Sequence, residues 1–309
     1  MPMTRVSVII CTHNPRLDYL ERVLEALKAQ TFPSDQWDLL LIDNGSAERL
    51  TYKIDLSWHP SARQIREDEL GLTPARLRGI KESPGELLIF VDDDNVLEPE
   101  FVATAWSIHT CFPQLGAFGA GKITGEFETT PDRELTPYLK MLTIRHATKP
   151  AWSNFVSYND SSPWGAGLCL VRAVALAYAE ALPSDVLRRS LGRKGKALLS
   201  CEDLDLSLFS CKLGFGTGIF PELALLHLIP SRRLERQYLV ELAGGNVTSH
   251  LILSRLWGYG NPPPENPVLG WFRHLRRLFT LQGIDREIYL AERQARKRVN
   301  LLFAEDHSA

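Results

Sequence analysis

The apolar pattern of this chain predicts an α/β fold, with a mostly parallel sheet flanked by helices and a helical C-terminal extension. Three observations predict it. Short β-branched runs alternate with helix-period segments through the first third of the chain. Three of those runs end abruptly on polar residues, THN, DNGS and DDDN. From Arg232 onward the remaining segments read mostly as helices.

RVSVIICTHN is β-rich from Val6 to Ile10 and predicts a buried first strand. Leu20, Val23, Leu24 and Leu27 recur at helical spacing until Pro33 stops the pattern. WDLLLIDNGS repeats the scheme, apolar from Leu39 to Ile42 and then Asp43, Asn44, Gly45 and Ser46. ARQIREDELG is a less apolar third strand, and TPARLRGIKES a helix with Thr73 as cap and Pro74 at its first position. ELLIFV is the fourth strand, and a helix starts at Pro99 and runs through Trp106 and Ile108. LGAFGAGKITG adds a strand, after which residues 126 to 163 turn irregular, with Pro131, Pro137, Pro150 and Pro163. WGAGLCLVR resumes β character, VALAYAEAL reads as helix, and GRKGKALLS as a basic mobile loop. CEDLDLSLFSCKLG is a helix with Glu202 and Asp203 in its first turn, where the helix dipole favours acids, and GTGIFPELALLHL is a strand ending near His227. The helices beyond Arg232 are broken at NPPPENP. In a parallel sheet ligands sit at the carboxyl ends of the strands, so the polar tails mark the expected site.

Composition narrows the function classes. With 309 residues and 44% hydrophobic content the chain can bury a large core, which excludes disorder. A net charge of -2 gives no global reason to expect nucleic acid. Five cysteines without a CxxC pair argue against a disulfide framework or a zinc cluster and fit a reducing compartment. The opening MPMTRVSVIICTHN has too short an apolar run for a signal peptide, and no run approaches membrane-spanning length. The expectation is a soluble, cytoplasmic protein.

The stretch ELLIFVDDDNVLEPEF ends a buried strand on Asp92, Asp93 and Asp94. Two carboxylates about 4 Å apart repel by roughly 4 kcal/mol at an effective dielectric near 20. A solvated turn capped by Asp and Asn relieves that cost, and so does a cation. By strand alternation Asp92 and Asp94 face one point while Asp93 faces elsewhere. A hard divalent ion held by one or two of these carboxylates, with a substrate diphosphate completing its shell, is the functional reading.

The polar-ended first strand, the Asp-ended second strand, the DxD-type run 92 to 94 and the Glu202-Asp203 pair together resemble family 2 inverting glycosyltransferases of GT-A fold, over about residues 4 to 230. The resemblance implies that Thr12, His13, Asn14, Asp43 and Asn44 hold the base and ribose of a nucleotide-diphosphate sugar, with Asp43 accepting the uracil N–H of a UDP-sugar. It groups Asp92 and Asp93 with the nucleotide-sugar contacts, and makes Asp94 and His227 ligands to Mn2+ or Mg2+. A satisfied core role is the alternative for His227. ARLRGI resembles the family's ARN-x-GI segment with Leu77 where Asn is usual, so Arg76 either approaches the diphosphate or is a solvated helix charge. Asp203 is implied as catalytic base and Asp205 reads as a surface acid. Trp164, Gly165, Ala166 and Gly167, with Glu202, form the acceptor side, while Arg232 and Arg233 close over the pyrophosphate as a lid.

No QxxRW occurs, which points to transfer of one sugar per encounter, in polysaccharide or glycoconjugate synthesis, to a saccharide or lipid-linked acceptor. The expected division is a glycosyltransferase domain over 1–230, with a donor half to about 125 and an acceptor half from 126, and a helical extension over 231–309. LGWFRHLRRLF, residues 269 to 279, is basic and amphipathic: it either lies on an anionic membrane or packs against the catalytic domain or a second subunit in a homodimer. Two other readings use the same residues. FVDDDNV fits the nucleophile motif of haloacid dehalogenase-type phosphatases, which normally follows the first strand, and a catalytically silent carbohydrate-binding protein would keep the fold alone.

Overall fold

The computed structural model describes residues 4–189, 191–192, 198–260 and 267–305. β1 (Val6–Thr12), β2 (Trp37–Asn44), β3 (Ala62–Glu67) and β4 (Leu87–Val91) pair in parallel in the order β3-β2-β1-β4, with α1 (Leu17–Lys28) and α2 (Leu72–Glu82) as crossovers. Strand alternation divides their side chains between two cores. Val8, Ile10, Leu39, Leu41, Leu87 and Ile89 pack on the α1 face, whereas Ile9, Leu40, Ile42, Leu88 and Phe90 pack on the α2 face. α2 lies so close to β1 that a Cβ on Gly79 would come within 2.5 Å of the Ile9 side chain. Because β1 lies between β2 and β4, their polar tails meet at one edge, with Thr12 opposite Asp43.

The second half is mixed. β5 (Asn95–Leu97) follows the acidic run, and α3 (Phe101–Cys111) leads to the long β6 (Leu115–Phe127). The irregular region contains a 3-10 segment, Arg133–Leu142, and two short strands, β7 (Arg145–His146) and β8 (Ala151–Ser153). β9 (Leu168–Val171) inserts antiparallel between β4 and β6, and α4 (Arg172–Ala181), α5 (Val186–Arg189) and α6 (Glu202–Lys212) follow. β10 (Gly216–Ile229) runs parallel to β6 and antiparallel to β5, completing the order β3-β2-β1-β4-β9-β6-β10-β5. The parallel character read from the sequence thus belongs to the first four strands and to the β6–β10 pair.

α7 (Arg236–Trp257), α8 (Pro267–Thr280) and α9 (Gly283–Glu305) form the C-terminal helices. α9 packs along α7 through Ile284 and Ile288, which join Leu239, Leu242 and Ala243 in one apolar cluster. Two local expectations shift. α2 begins at Leu72 with Gly71 at its cap, so Thr73 lies inside the first turn, where its hydroxyl is directed to Glu202 instead of capping. α3 begins at Phe101, two residues beyond Pro99. Residues 193–197 of GRKGKALLS and 261–266 of NPPPENP lie outside the described residues, and with them the expected mobile loop and most of the expected break. Among the described residues no helix is long and apolar enough to cross a membrane.

Candidate functional site

A cavity of about 730 Å³ opens at the carboxyl edge of the sheet. Thr12, His13, Asn44, Arg76, Asp92, Asp93, Asp94, Trp164, Gly165, Ala166, Glu202, Asp203, His227 and Arg233 all line it. Asn14, Asp43 and Arg232, also singled out from the sequence, do not.

The strand tails are braced from behind. Asn14 sits in the left-handed region at φ 50°. There its carbonyl oxygen accepts the Ala47 N–H and its amide nitrogen donates to His13 Nε2 at 2.9 Å. His13 Nδ1 donates to the Asn44 carbonyl at 2.7 Å, which fixes its ring orientation. Asp43 is buried, and its carboxylate accepts from the Ser46 N–H at 3.0 Å, the Leu50 N–H at 3.4 Å and Arg66 Nη1 at 3.0 Å. Burial alone would raise its pKa, but Ser46, Leu50 and Arg66 outweigh it and hold Asp43 below the ordinary carboxylate range. In this structure Asp43 therefore ties the turn that presents Asn44.

The acidic run meets β10 through the antiparallel β5 pairing, which sets Asn95 opposite His227 and so brings Asp94 beside the imidazole. Asp94 Oδ2 lies 3.5 Å from His227 Nε2. His227 Nδ1 donates to the Leu142 carbonyl at 2.9 Å, so the Nε2 lone pair faces the cavity. Arg233 spans the two: its Nη1 donates to His227 Nε2 at 3.0 Å and its Nη2 lies 3.1 Å from Asp94 Oδ2. Asp93 does not turn away as alternation predicts. The strand ends at Val91, the backbone turns, and Asp93 lines the same cavity and accepts the Thr12 hydroxyl. Burial first, and then the neighbouring Asp94 charge, push Asp93 up to about 6. Among the described residues no group of three or more His, Cys, Asp or Glu side chains converges as a metal cage. Asp94 and His227 form a pair.

On the α6 side Arg76 is buried, with Nη1 2.9 Å from Glu202 Oε1 and Nη2 3.9 Å from Asp92 Oδ1. It is not a solvated helix charge. Burial opposes its ionisation, but Glu202 and then Asp92 outweigh that cost and hold the guanidinium more firmly protonated than usual. Thr73 Oγ1 donates to Glu202 Oε2 at 3.1 Å, so Glu202 buttresses Arg76 while lining the cavity. Cys201 adopts φ +84° at the start of α6, a costly conformation of order 1–3 kcal/mol for a non-glycine residue, and it turns the chain so that the next two acids enter the site. Asp203 Oδ2 accepts the Gly165 N–H at 2.5 Å. One carboxylate oxygen is thereby fixed at the wall formed by Trp164, Gly165 and Ala166.

Several site residues escape sequence reasoning. Arg145 stacks on Trp164 with its guanidinium carbon 3.6 Å from the ring centroid, and burial lowers its pKa to about 10. Tyr158, Asn246 and His250 complete that end, so α7 contributes to the cavity wall. Asp205 is corrected outright: it is 0% exposed, accepting from Tyr178 Oη and Trp257 Nε1 at 2.8 Å each and lying 3.3 Å from Arg188 Nη1. Leu204, Leu206 and Leu208 surround it, and an α6 apolar on nearly every side is the signal that its acids lie inside.

Residues 7–108 match the family model described as Glycosyl transferase family 2. Glycosyltransferase AglE of Haloferax volcanii is 30% identical over 92 residues, 29% of this chain and 30% of that protein. Poly(ribitol-phosphate) beta-N-acetylglucosaminyltransferase TarS of Staphylococcus aureus is 26% identical over 106 residues, 33% of this chain and 18% of its own length. The matched stretches thus span less than a third of these relatives. The mannosyltransferase PcManGT of Pyrobaculum calidifontis, solved with GDP-Man and Mn2+, superposes with a TM-score of 0.55 at 18% identity, covering 98% of this chain and 79% of that one. S. aureus TarS 1–349 superposes at 0.50 with 14% identity, covering 93% and 78%. These likenesses establish the GT-A fold along nearly the whole chain.

Proposed function

We propose that this chain, whose residues 7–108 match the glycosyl transferase family 2 model, belongs to that family and is a metal-dependent inverting glycosyltransferase. It moves one sugar from a nucleoside-diphosphate sugar, a UDP-sugar by preference, to an acceptor hydroxyl in polysaccharide or glycoconjugate synthesis. One observation carries the reading: an oriented carboxylate, Asp203, shares a single cavity with a buried arginine and the acidic run. The reading divides the chain into a transferase domain over 1–230 and a helical extension over 231–309 whose α7 closes the acceptor end.

The donor's nucleoside lies over Thr12, His13 and Asn44, with Asn14 and Asp43 bracing those tails from behind. Arg76 and Arg233 balance the diphosphate charge, and Arg232, next to Arg233 in the chain, closes over it as part of a lid. Asp94 and His227 would hold a divalent ion in place of the Arg233 guanidinium that bridges them, because the His227 Nδ1–H is already tied to a carbonyl and Nε2 faces Asp94. Mn2+ or Mg2+ bound there would supply Lewis-acid stabilisation of the leaving diphosphate. The Asp203 Oδ2 takes the proton of the acceptor hydroxyl as that oxygen attacks the anomeric carbon. The Gly165 N–H keeps that oxygen aimed, and the Trp164 ring offers a face for the acceptor sugar. A base on one side of the anomeric carbon and the diphosphate on the other gives inversion.

The phosphatase alternative is weakened because its motif follows a first strand, whereas here the acidic run follows β4. The five unpaired cysteines support a cytoplasmic setting. The test is a thermal-shift panel of UDP- and GDP-sugars with and without Mn2+. A donor at a hundred times its Kd is expected to stabilise the protein by about 2.7 kcal/mol. Absence of any nucleotide-dependent shift, or phosphomonoester hydrolysis without sugar transfer, would refute the reading.

A further inference from the structure

α8 is built unlike the other helices. Val268, Trp271, Phe272, Leu275 and Phe279 recur at three- and four-residue spacing and share one face. Trp271 is 55%, Phe272 59% and Phe279 82% exposed, and the rings of Trp271 and Phe272 meet edge to face at 5.1 Å. Large aromatic side chains gathered on one helix face in water mark an interaction surface. Arg276 flanks that face, Arg273 and Arg277 lie on the opposite side of the helix toward α9, and α8 contains no acidic residue.

Beside it a second cavity of about 230 Å³ opens between α8 and α9. Four guanidiniums line it, from Arg273, Arg277, Arg293 and Arg296, against one carboxylate, Glu292. The cleft has a fixed wall: Arg277 lies over the Tyr289 ring at 5.1 Å and Tyr289 Oη is 2.9 Å from His274 Nδ1. His274 is held below its ordinary pKa by burial and then by the Arg293 and Lys297 charges, which reports the positive field of this corner. A planar arginine fork binds phosphoryl oxygens in pairs, so the cleft matches a phosphate-bearing headgroup.

We propose that α8 lies in the surface of an anionic phospholipid membrane, its aromatic face among the acyl chains and a lipid phosphate seated in the α8–α9 arginine cleft. The arginines favour this occupant over a second copy of the chain. An isologous pairing of α8 faces would set Arg276 beside its own counterpart with no acid on α8 to offset it, and would leave the arginine cleft on the far side of the helix without a counter-charge. Negative headgroups complement that charge. α9, which forms the other wall of the cleft, packs on α7, and α7 carries Asn246 and His250 into the main cavity. The membrane contact and the acceptor end of the site are therefore joined through one pair of helices.

The test is co-sedimentation of the full chain with phosphatidylglycerol–phosphatidylcholine vesicles and with phosphatidylcholine alone. Binding is expected only to the anionic vesicles and is expected to fall with salt. Arg277→Gln with Arg293→Gln is expected to weaken partitioning about 25-fold, from roughly fivefold per arginine. Trp271→Ser with Phe272→Ser is expected to abolish it. Both pairs should leave thermal stability and nucleotide binding unchanged, which separates this proposal from the fate of the transferase reading. Three results would overturn it. The first is no binding to anionic vesicles, or equal binding by the variants. The second is a dimer that Trp271→Ser with Phe272→Ser dissociates. The third is stabilisation by inorganic phosphate, lost in the arginine variant, without vesicle binding.

Discussion

Replacing Arg76 by methionine removes the positive centre of the cavity while keeping the length of the side chain. Arg76 and Glu202 are both buried and lie 2.9 Å apart, so among the described residues the substitution leaves the Glu202 carboxylate the Thr73 hydroxyl at 3.1 Å. Breaking a buried ion pair from one side costs about 3–5 kcal/mol, because the remaining charge is desolvated without compensation. With unfolding entropy near 2.1 cal/mol/K per residue, a chain of 309 residues loses about 1.5 °C in Tm per kcal/mol, so the expected drop is about 5–8 °C. The loss carries a pH signature. Burial already raises Glu202 above its ordinary 4.5, and Arg76 is the main charge opposing that rise. Without Arg76 the folded state binds the Glu202 proton more tightly still, so stability returns as pH falls through the raised value toward 4.5. Melting curves should show the Arg76→Met deficit largest near about pH 8 and much reduced near about pH 5. A deficit that stays constant across that range would mean the substitution costs packing alone, and the buried pair would not be the basis of the site's electrostatics.

Arg233→Gln removes the guanidinium that spans Asp94 and His227. It is expected to tighten Mn2+ binding to the nucleotide-free protein, read by loss of the free-ion electron paramagnetic resonance signal, while weakening binding of the nucleoside diphosphate. Unchanged or weaker Mn2+ binding would show that the metal does not compete for that position. Gly165→Ala would place a Cβ 2.9 Å from Arg76 Nη2 and 3.1 Å from Asp203 Oδ2, displacing the two charged ends the wall holds. Transfer is expected to fall about 100-fold, the usual effect of an error near 1 Å, with the fold retained by circular dichroism. Wild-type activity in Gly165→Ala would remove Asp203 from the chemistry.

The first four strands were legible because periodicity is local: Ile9 and Ile10 are adjacent in the chain, yet they enter different cores, as alternation requires. The meeting of Asp94 and His227 depends instead on the antiparallel register between β10 and the three-residue β5, which carries no periodic signal of its own. Asp93 departs from the direction that alternation predicts for a related reason, since alternation stops where the strand stops, at Val91. Asp205 looked like a surface acid because acids favour a helix's first turn, but Tyr178, Arg188 and Trp257 reach it from three other helices. The same non-locality hid Arg145 over Trp164 and the α7 residues at the acceptor end.

The central claim is that Asp203 takes the acceptor proton while a nucleoside diphosphate departs. Its most direct measurement is diphosphate release from labelled UDP- and GDP-sugars with Mn2+ and a panel of saccharide and lipid-linked acceptors, comparing wild type with Asp203→Asn. The account predicts acceptor-dependent release by wild type, and about 100- to 10,000-fold slower release by Asp203→Asn with donor binding intact. Equal rates from the two proteins would contradict it.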